Sequence, residues 1–522
     1  MKKILKNKWL INAIYLIITL TAFSLSIFKT DSPVWIAAWI APIFLLRFMR
    51  NNKWSLAVVL GFIILQIAYF IGLIPQLTMI SETSLKMDFS FIIMWQIRSG
   101  VLFYVLSFLI PFILDKALHK RLPKFAATLV YPSAVVTFEL LFFLITGAGY
   151  TFSDSQFTLR PLVMISSLFG ILSVSFLVAW FATMINFLWE EKWNIKKLGY
   201  SSLIYIVIIA VLLIYGGTAI ASPKKADVTV PVAGITLEND FFVRMAESDL
   251  YVDEIFDLNP AESSKLMSSP QSHLDEMSQK TLEAARAGAQ IIVWQEEALC
   301  LESSAADTYL LEMKKMADEE DVYLLISYER LLNEKEKKDR IMKNVSILFT
   351  PNGEIGWEYE KAYPALGYED LMVETGQRDI PYLDTPYGRI GQVICADMLH
   401  PHYIRQAAAK EIDLLLVPSY DTIFYTPLLT FSSAYRAVEN GFTMIRITGD
   451  GYSAVIDPYY RHWAGQNFFE QGSTNFYANV PVVSKKTFYS SIGFIFPYVI
   501  VLLLISLIAQ AIIKTKKNRN SL

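Results

Sequence analysis

Long apolar runs almost free of charge alternate with short basic segments over the first 221 residues. They recur at about 9–28, 33–49, 54–75, 90–114, 125–147, 161–188 and 200–221, and once more at 489–513. A helix needs about 20 mostly apolar residues to cross about 30 Å of hydrocarbon. The pattern therefore predicts a polytopic α-helical membrane bundle of eight spans. The close pair 9–28 and 33–49 also fits one re-entrant hairpin. The opening MKKILKNK before an apolar run imitates a secretory signal, but further spans follow at once, and a signal anchor accounts for the same residues.

Between residues 222 and 488 the rhythm changes. Short apolar runs of strand type, VTVPVAGIT (228–236), AQIIVWQ (289–295), VYLLISYE (322–329), RIGQVICAD (389–397), IDLLLVPS (412–419) and FTMIRIT (442–448), alternate with helical stretches near 271–288, 304–318, 400–410 and 427–440. NVSILFTPNGEIGWEYEK (344–361) reads as a hairpin turning at Pro-Asn-Gly. Buried strands alternating with helices predict a layered α/β domain. The expected organisation is a seven-span bundle over 1–221, a catalytic domain over 222–488, and an eighth span with a basic tail over 489–522.

Charge then orients these parts. The whole chain has 46 Lys and Arg against 49 Asp and Glu, a net charge of -3. Residues 1–221 carry 18 basic and 8 acidic residues, 222–488 carry 24 and 41, and the segment from 489 carries 4 and none. Basic clusters sit at Lys2–Lys8, Arg47–Lys53, Lys116–Lys124, Lys192–Lys197 and the C-terminal end, in alternate loops, while the intervening loops hold only Lys29, Lys86 and Arg160. Positive loops face the cytoplasm. Both termini are thus expected inside and the 222–488 block outside, in a cell membrane. The division excludes a single soluble domain, a disordered chain and a basic nucleic-acid binder; two cysteines exclude a disulfide scaffold. Arg98 and Glu139 lie within apolar runs. Arg98 is either a snorkelling residue or a lipid-phosphate contact, and Glu139 either a buried contact in the bundle or part of a lipid-facing cavity.

The candidate chemistry lies at strand ends in the outer block. Glu296 follows IIVWQ, Lys361 ends GWEYEK and Cys395 ends IGQVIC. The carboxyl ends of strands are where open α/β sheets present catalytic groups. Singly, each residue reads as core, cap or solvated surface. Together they supply a nucleophile, a base for its proton and a cation for an oxyanion. Cys300 reads as a buried free thiol.

WQEEA (294–298), YEKAYPALGYE (359–369) and GQVICAD (391–397) resemble the three signatures of the nitrilase superfamily. With the eight spans, they resemble its membrane-bound branch, the apolipoprotein N-acyltransferases. YD at 420–421, RAVENG at 436–441, TGDGYSAVIDP at 448–458 and Phe152–Gln156 with Gly170 resemble further stretches of that branch. The resemblance implies a four-layer αββα sandwich, with Glu296 as general base, Lys361 as oxyanion stabiliser, Cys395 as nucleophile and Glu369 orienting the lysine. Asp397 stands where the family has Glu. Trp-Gln-Glu replaces Trp-Pro-Glu, Tyr-Pro-Ala-Leu-Gly-Tyr-Glu replaces Leu-Val-Pro-Phe-Gly-Glu, and Cys-Ala-Asp replaces Cys-Tyr-Glu.

The implied activity is acyl transfer from a membrane phospholipid, through a Cys395 thioester, to the α-amino group of a lipoprotein diacylglyceryl-cysteine, with no metal or cofactor and no nucleic acid. Asp397 and Tyr420 join the expected substrate-binding residues, with Phe424, Leu428 and Leu429 of YDTIFYTPLLTF (420–431) as an acyl entrance; the alternative for that stretch is a partly buried helix. FFVRMAESDLYVDEIF (241–256) is a second entrance candidate. Rival readings are a membrane-bound amidase or hydrolase that uses water, an acyltransferase with another amine acceptor, a Cys–His hydrolase using His400 or His402, a metal site at Asp397, His400 and His402, and a non-enzymatic lipid-binding domain.

Overall fold

The computed structural model describes residues 8–29, 31–82, 106–146, 151–193, 195–238, 259–333, 336, 340–366, 369–421 and 425–520. The chain divides into two compact units, one built from Met1–Thr78, Asp88–Ser222 and Ile492–Leu522, the other mainly from Pro223–Ser491.

The first unit is helical. Among the described residues, five stretches are long and apolar enough to cross a membrane: Trp54–Ile74, Lys124–Ile145, Ile171–Glu190, Ser202–Ala221 and Phe496–Lys516. Lys8–Ser24 and Trp35–Asn51 are helices of 17 residues each. The single run expected over 161–188 is broken at Gly170, whose φ of 81° suits glycine and starts Ile171–Glu190 afresh after two short helices, Arg160–Val163 and Ser166–Phe169. Ile171–Glu190 is buried along most of its length, whereas Ser202–Ala221 exposes Leu203, Ile206, Val211 and Ile214. Water would penalise that surface and hydrocarbon would not. Several polar groups inside the bundle are paired. The Arg50 guanidinium donates two bonds of 2.7 Å to Asp115, Trp39 Nε1 donates to Gln156 Oε1 at 2.8 Å, and Phe152 N–H donates to Glu139 Oε1 at 3.0 Å. Glu139 is thus a buried contact within the bundle. Arg98 and the segment 241–256 lie outside the described residues.

The second unit is built on two sheets. Its strands are β1 Thr229–Ile235, β2 Ile291–Trp294, β3 Cys300–Glu302, β4 Tyr323–Leu331, β5 Met342–Phe349, β6 Ile355–Glu360, β7 Tyr382–Thr385, β8 Gly388–Gln392, β9 Leu414–Tyr420, β10 Thr443–Gly449, β11 Tyr452–Ile456, β12 His462–Asn467 and β13 Phe476–Pro481. One sheet runs β13-β1-β2-β4-β5-β6, with β3 beside β4; the other runs β12-β11-β10-β9-β8-β7. The pairs β1–β2, β2–β4, β8–β9 and β9–β10 are parallel. A parallel pair needs a crossover. Gln271–Arg286, Ser303–Glu319, Pro401–Ala409 and Leu428–Asn440 supply one helix each.

The crossovers form the outer layers. Leu274, Met277, Ala284, Tyr309 and Met313 pack on Ile292, Leu324, Ile326 and Ile347 of the first sheet. The inner faces of the two sheets meet each other, with Trp357 Nε1 of β6 donating to Gln392 Oε1 of β8 at 2.5 Å. The result is an αββα arrangement. At the centre of the seam, β1 has Gly234, because a Cβ there would lie 2.4 Å from Ile447 Cδ1 of β10 and 2.9 Å from its Cγ1.

That contact predicts a specific coupling. Gly234→Ala should cost about 1–3 kcal/mol by overpacking. Ile447→Val, which removes the nearest atom, should recover part of that loss when combined with it. Thermal unfolding of the two single variants and the double variant measures the coupling.

Candidate active site

Strand geometry aims Lys361 inward. Successive side chains of a strand alternate between faces, and in β6 Trp357 and Tyr359 are buried while Glu358 is exposed. Lys361, two residues past Tyr359, continues the inner face just beyond the strand. The antiparallel register sets Ser346 of β5 against Tyr359, and Lys361 N–H donates to Asn344 O at 3.0 Å, so Asn344 is the neighbour of Lys361.

The ammonium of Lys361 is buried between two carboxylates. It donates to Glu296 Oε1 at 2.6 Å and to Glu369 Oε2 at 2.5 Å. Asn344 Nδ2 bridges the same two groups, at 2.8 Å to Glu296 Oε1 and 3.1 Å to Glu369 Oε1. Glu296 Oε2 accepts from Tyr420 N–H at the end of β9 at 2.8 Å, and Glu369 Oε2 from Ala365 N–H at 2.7 Å. Burial pulls the Lys361 ammonium down, but Glu296 and Glu369 outweigh it and hold the group well above its ordinary value. Burial pushes Glu369 up, with Lys361 opposing. Glu297 and Glu329, bonded side chain to side chain behind this set, are pushed well above the carboxylate range by burial and by their acidic neighbours.

Cys395 does not end a strand. β8 stops at Gln392, and Cys395 opens a 3₁₀ turn, Cys395–Leu399, with φ of 39°. A non-glycine residue in that region is strained, and here the turn is held by Asp397. Asp397 Oδ2 accepts from Ile394 N–H at 2.9 Å and from the Tyr359 hydroxyl at 2.6 Å; Oδ1 accepts from Tyr363 N–H at 2.8 Å. Burial raises Asp397 to about 7, against those donors. Cys395 Sγ lies 3.6 Å from Tyr420 O. Its thiol is pushed well up by burial and then by Glu296, with Lys361 and Arg446 opposing.

The described structure thus gathers Glu296, Lys361, Glu369 and Cys395. It treats the expected substrate contacts differently. Asp397 is fully enclosed with its oxygens engaged by the protein, which makes it a brace of the Cys395 turn rather than a substrate contact. Tyr420 meets the site through its backbone while its hydroxyl donates to Asp450 Oδ2 at 2.5 Å. Leu428 is buried at the start of Leu428–Asn440, Leu429 is half-buried, and Phe424 lies outside the described residues. His400 stacks on Tyr363 with ring centroids 3.8 Å apart and is pulled down to about 4 by burial and Arg378. Cys300 is buried and outside any disulfide. Glu296, Glu297 and Glu369 place carboxylate oxygens within 4.8 Å of one another, the spacing of a cation site, but the Lys361 ammonium already bonds two of the three.

Asn344, Tyr359 and Arg446 were not among the expected site residues. An asparagine inside an apolar strand and a lone arginine in FTMIRIT were the signals for two of them, since both residue types need partners when buried.

Residues 262–482 match the carbon-nitrogen hydrolase family. Two mixed sheets faced by crossover helices, with Glu, Lys and Cys at their seam, make this part of the chain a nitrilase-like α/β domain. Over 200 residues the chain is 28% identical to the apolipoprotein N-acyltransferase of Pseudomonas aeruginosa, covering 35% of this chain and 39% of that protein. Over 331 residues it is 23% identical to the apolipoprotein N-acyltransferase of Rickettsia typhi, covering 59% of this chain and 60% of that protein. The chain therefore spans less than two thirds of the length of these curated relatives. Among solved structures, an amidase from Nesterenkonia sp. aligns at 17% identity with a TM-score of 0.38, covering 51% of this chain and 93% of that one.

Asn344 gives a test of the charge cluster. Asn344→Asp adds a carboxyl to a site already holding two carboxylates, so its folded pKa is raised. Such a group costs nothing below its unfolded pKa of about 3.9 and destabilises progressively as pH rises towards its folded pKa. Unfolding temperatures should fall more for Asn344→Asp at pH 8 than at pH 5, whereas Asn344→Leu should show a similar loss at both.

Proposed function

We propose that the chain is a membrane-bound N-acyltransferase that moves a fatty acyl chain from a phospholipid to the α-amino group of a lipoprotein diacylglyceryl-cysteine. The observation that carries this reading is the buried contact of Lys361 with Glu296 and Glu369 beside a cysteine in a strained turn. The named relatives and the apolar helices support the lipid substrate.

In this mechanism Glu296 takes the thiol proton of Cys395, and the thiolate attacks the phospholipid ester carbonyl. Lys361 stabilises the oxyanion, with Glu369 and Asn344 holding the ammonium in place. The tetrahedral intermediate collapses, the lysophospholipid oxygen takes the proton from Glu296, and an acyl-cysteine thioester remains. The acceptor amine attacks that thioester, Glu296 takes its proton, the amide forms and the thiol is regenerated, a ping-pong sequence. Both substrates stay in the bilayer because each buried CH₂ holds them there by about 0.8 kcal/mol. Eight spans, cytoplasmic termini and an extracytoplasmic catalytic domain belong to the same proposal, supported by the alternation of basic loops. Leu429 is half-buried at the head of its helix, where it can line an acyl entrance; Leu428 is committed to the core.

Purified protein supplied with phospholipid and a lipopeptide bearing a free amine should yield the N-acyl amide, and Cys395→Ala should yield none. Release of free fatty acid alone identifies a hydrolase instead. Leu429→Glu should cut turnover on lipid at least tenfold with an unchanged unfolding temperature; unchanged turnover removes the entrance role.

A further inference from the structure

Arg446 is the one charged residue of β10, and it is 1% exposed. A guanidinium buried this deeply is costly unless its donors are satisfied. Its Nη2 donates to Asp421 Oδ1 at 2.5 Å, its Nε to Thr430 Oγ1 at 3.1 Å and its Nη1 to Ser433 Oγ at 3.5 Å. Asp421 follows β9 directly and its N–H donates to Gly449 O at 3.0 Å. The residue before it, Tyr420, supplies the N–H that bonds Glu296 and the carbonyl beside Cys395 Sγ. Thr430 and Ser433 lie in Leu428–Asn440. Arg446 therefore ties together the backbone that touches both reacting groups and the helix that begins at the proposed acyl entrance.

We propose that Arg446 is a positioning residue that fixes the end of β9 against Cys395 and Glu296 and sets a second buried positive charge, besides Lys361, beside the thiol. The role deepens the proposed thioester mechanism and rests on Cys395 being its nucleophile. Among the described residues, the charged groups facing Cys395 are Glu296 past β2, Lys361 past β6, Asp421 past β9 and Arg446 on β10, while Asp397 of its own turn is engaged by Tyr359 and Tyr363. Of these, Glu296 and Asp421 disfavour the thiolate, and Lys361 and Arg446 favour it. A purely structural arginine would leave that balance untouched.

The test uses the full-length protein in detergent. Alkylation of Cys395 by iodoacetamide, read from the mass of its peptide, is followed against pH, so no acyl substrate is needed. Arg446→Met should raise the midpoint by about one pH unit, a roughly tenfold loss of thiolate at fixed pH. Asp421→Asn should lower it, Arg446→Lys should restore most of the wild-type profile, and Thr430→Val should leave the midpoint in place. Should Arg446→Met fail to fold, the direction of the Asp421→Asn and Arg446→Lys profiles decides the matter. An unchanged midpoint in folded Arg446→Met, or shifts of one sign for Arg446→Met and Asp421→Asn, overturns the proposal. Variants that show these shifts, alongside wild-type protein that transfers no acyl chain, would leave the role of Arg446 standing and sink the substrate assignment.

Discussion

A lysine ammonium enclosed between two carboxylates is the interaction on which the second unit of this protein depends. Burying the Lys361 charge would be prohibitive alone, and Glu296 and Glu369 make it tolerable only at the short distances observed. Removing one partner of such a pair typically costs about 3–5 kcal/mol, because the other charge stays behind. The surrounding structure serves to hold these three groups still. The alternation of β6 points Lys361 inward, Asn344 on the adjacent strand bonds both acids, and Tyr420 N–H occupies the remaining oxygen of Glu296.

The two sheets make the site possible by meeting face to face. Glu296 and Lys361 come from the first sheet, and the cysteine turn and Tyr420 from the second. Their seam must close tightly, which is why Gly234 faces Ile447 and Trp357 reaches Gln392. Asp397 then stabilises the left-handed Cys395 turn by accepting from three donors, Ile394 N–H of its own segment and Tyr359 and Tyr363 at and just past the end of β6. A charge cluster on one sheet and a strained cysteine turn on the other are brought into register by ordinary strand pairing and crossover helices.

Much of this was legible in the chain. Apolar runs between turn signals located the central strands of both sheets, and the Pro-Asn-Gly turn between β5 and β6 located the hairpin that delivers Lys361. What stayed hidden was set by long-range contacts. The edge strands β7, β12 and β13 carry half-exposed polar patterns with weak periodicity, such as His462–Asn467, so partners rather than propensity form them. VICAD reads as a strand end by composition, yet the Asp397 brace turns it into a 3₁₀ turn. The break at Gly170 was hidden inside a run that is apolar on both sides of it. Of the site, residues with distinctive chemistry were readable, whereas Asn344 and Arg446 gain their roles only through neighbours distant in sequence.

The central claim is that Cys395 carries the acyl chain. Incubating the purified protein with a phospholipid of defined chain length and no amine, then weighing the peptide that contains Cys395, tests it most directly. The expected result is a thioester adduct of that one acyl mass on Cys395, lost on adding an amine and absent from Cys395→Ala. Turnover of phospholipid with no adduct on Cys395 under single-turnover conditions would contradict it.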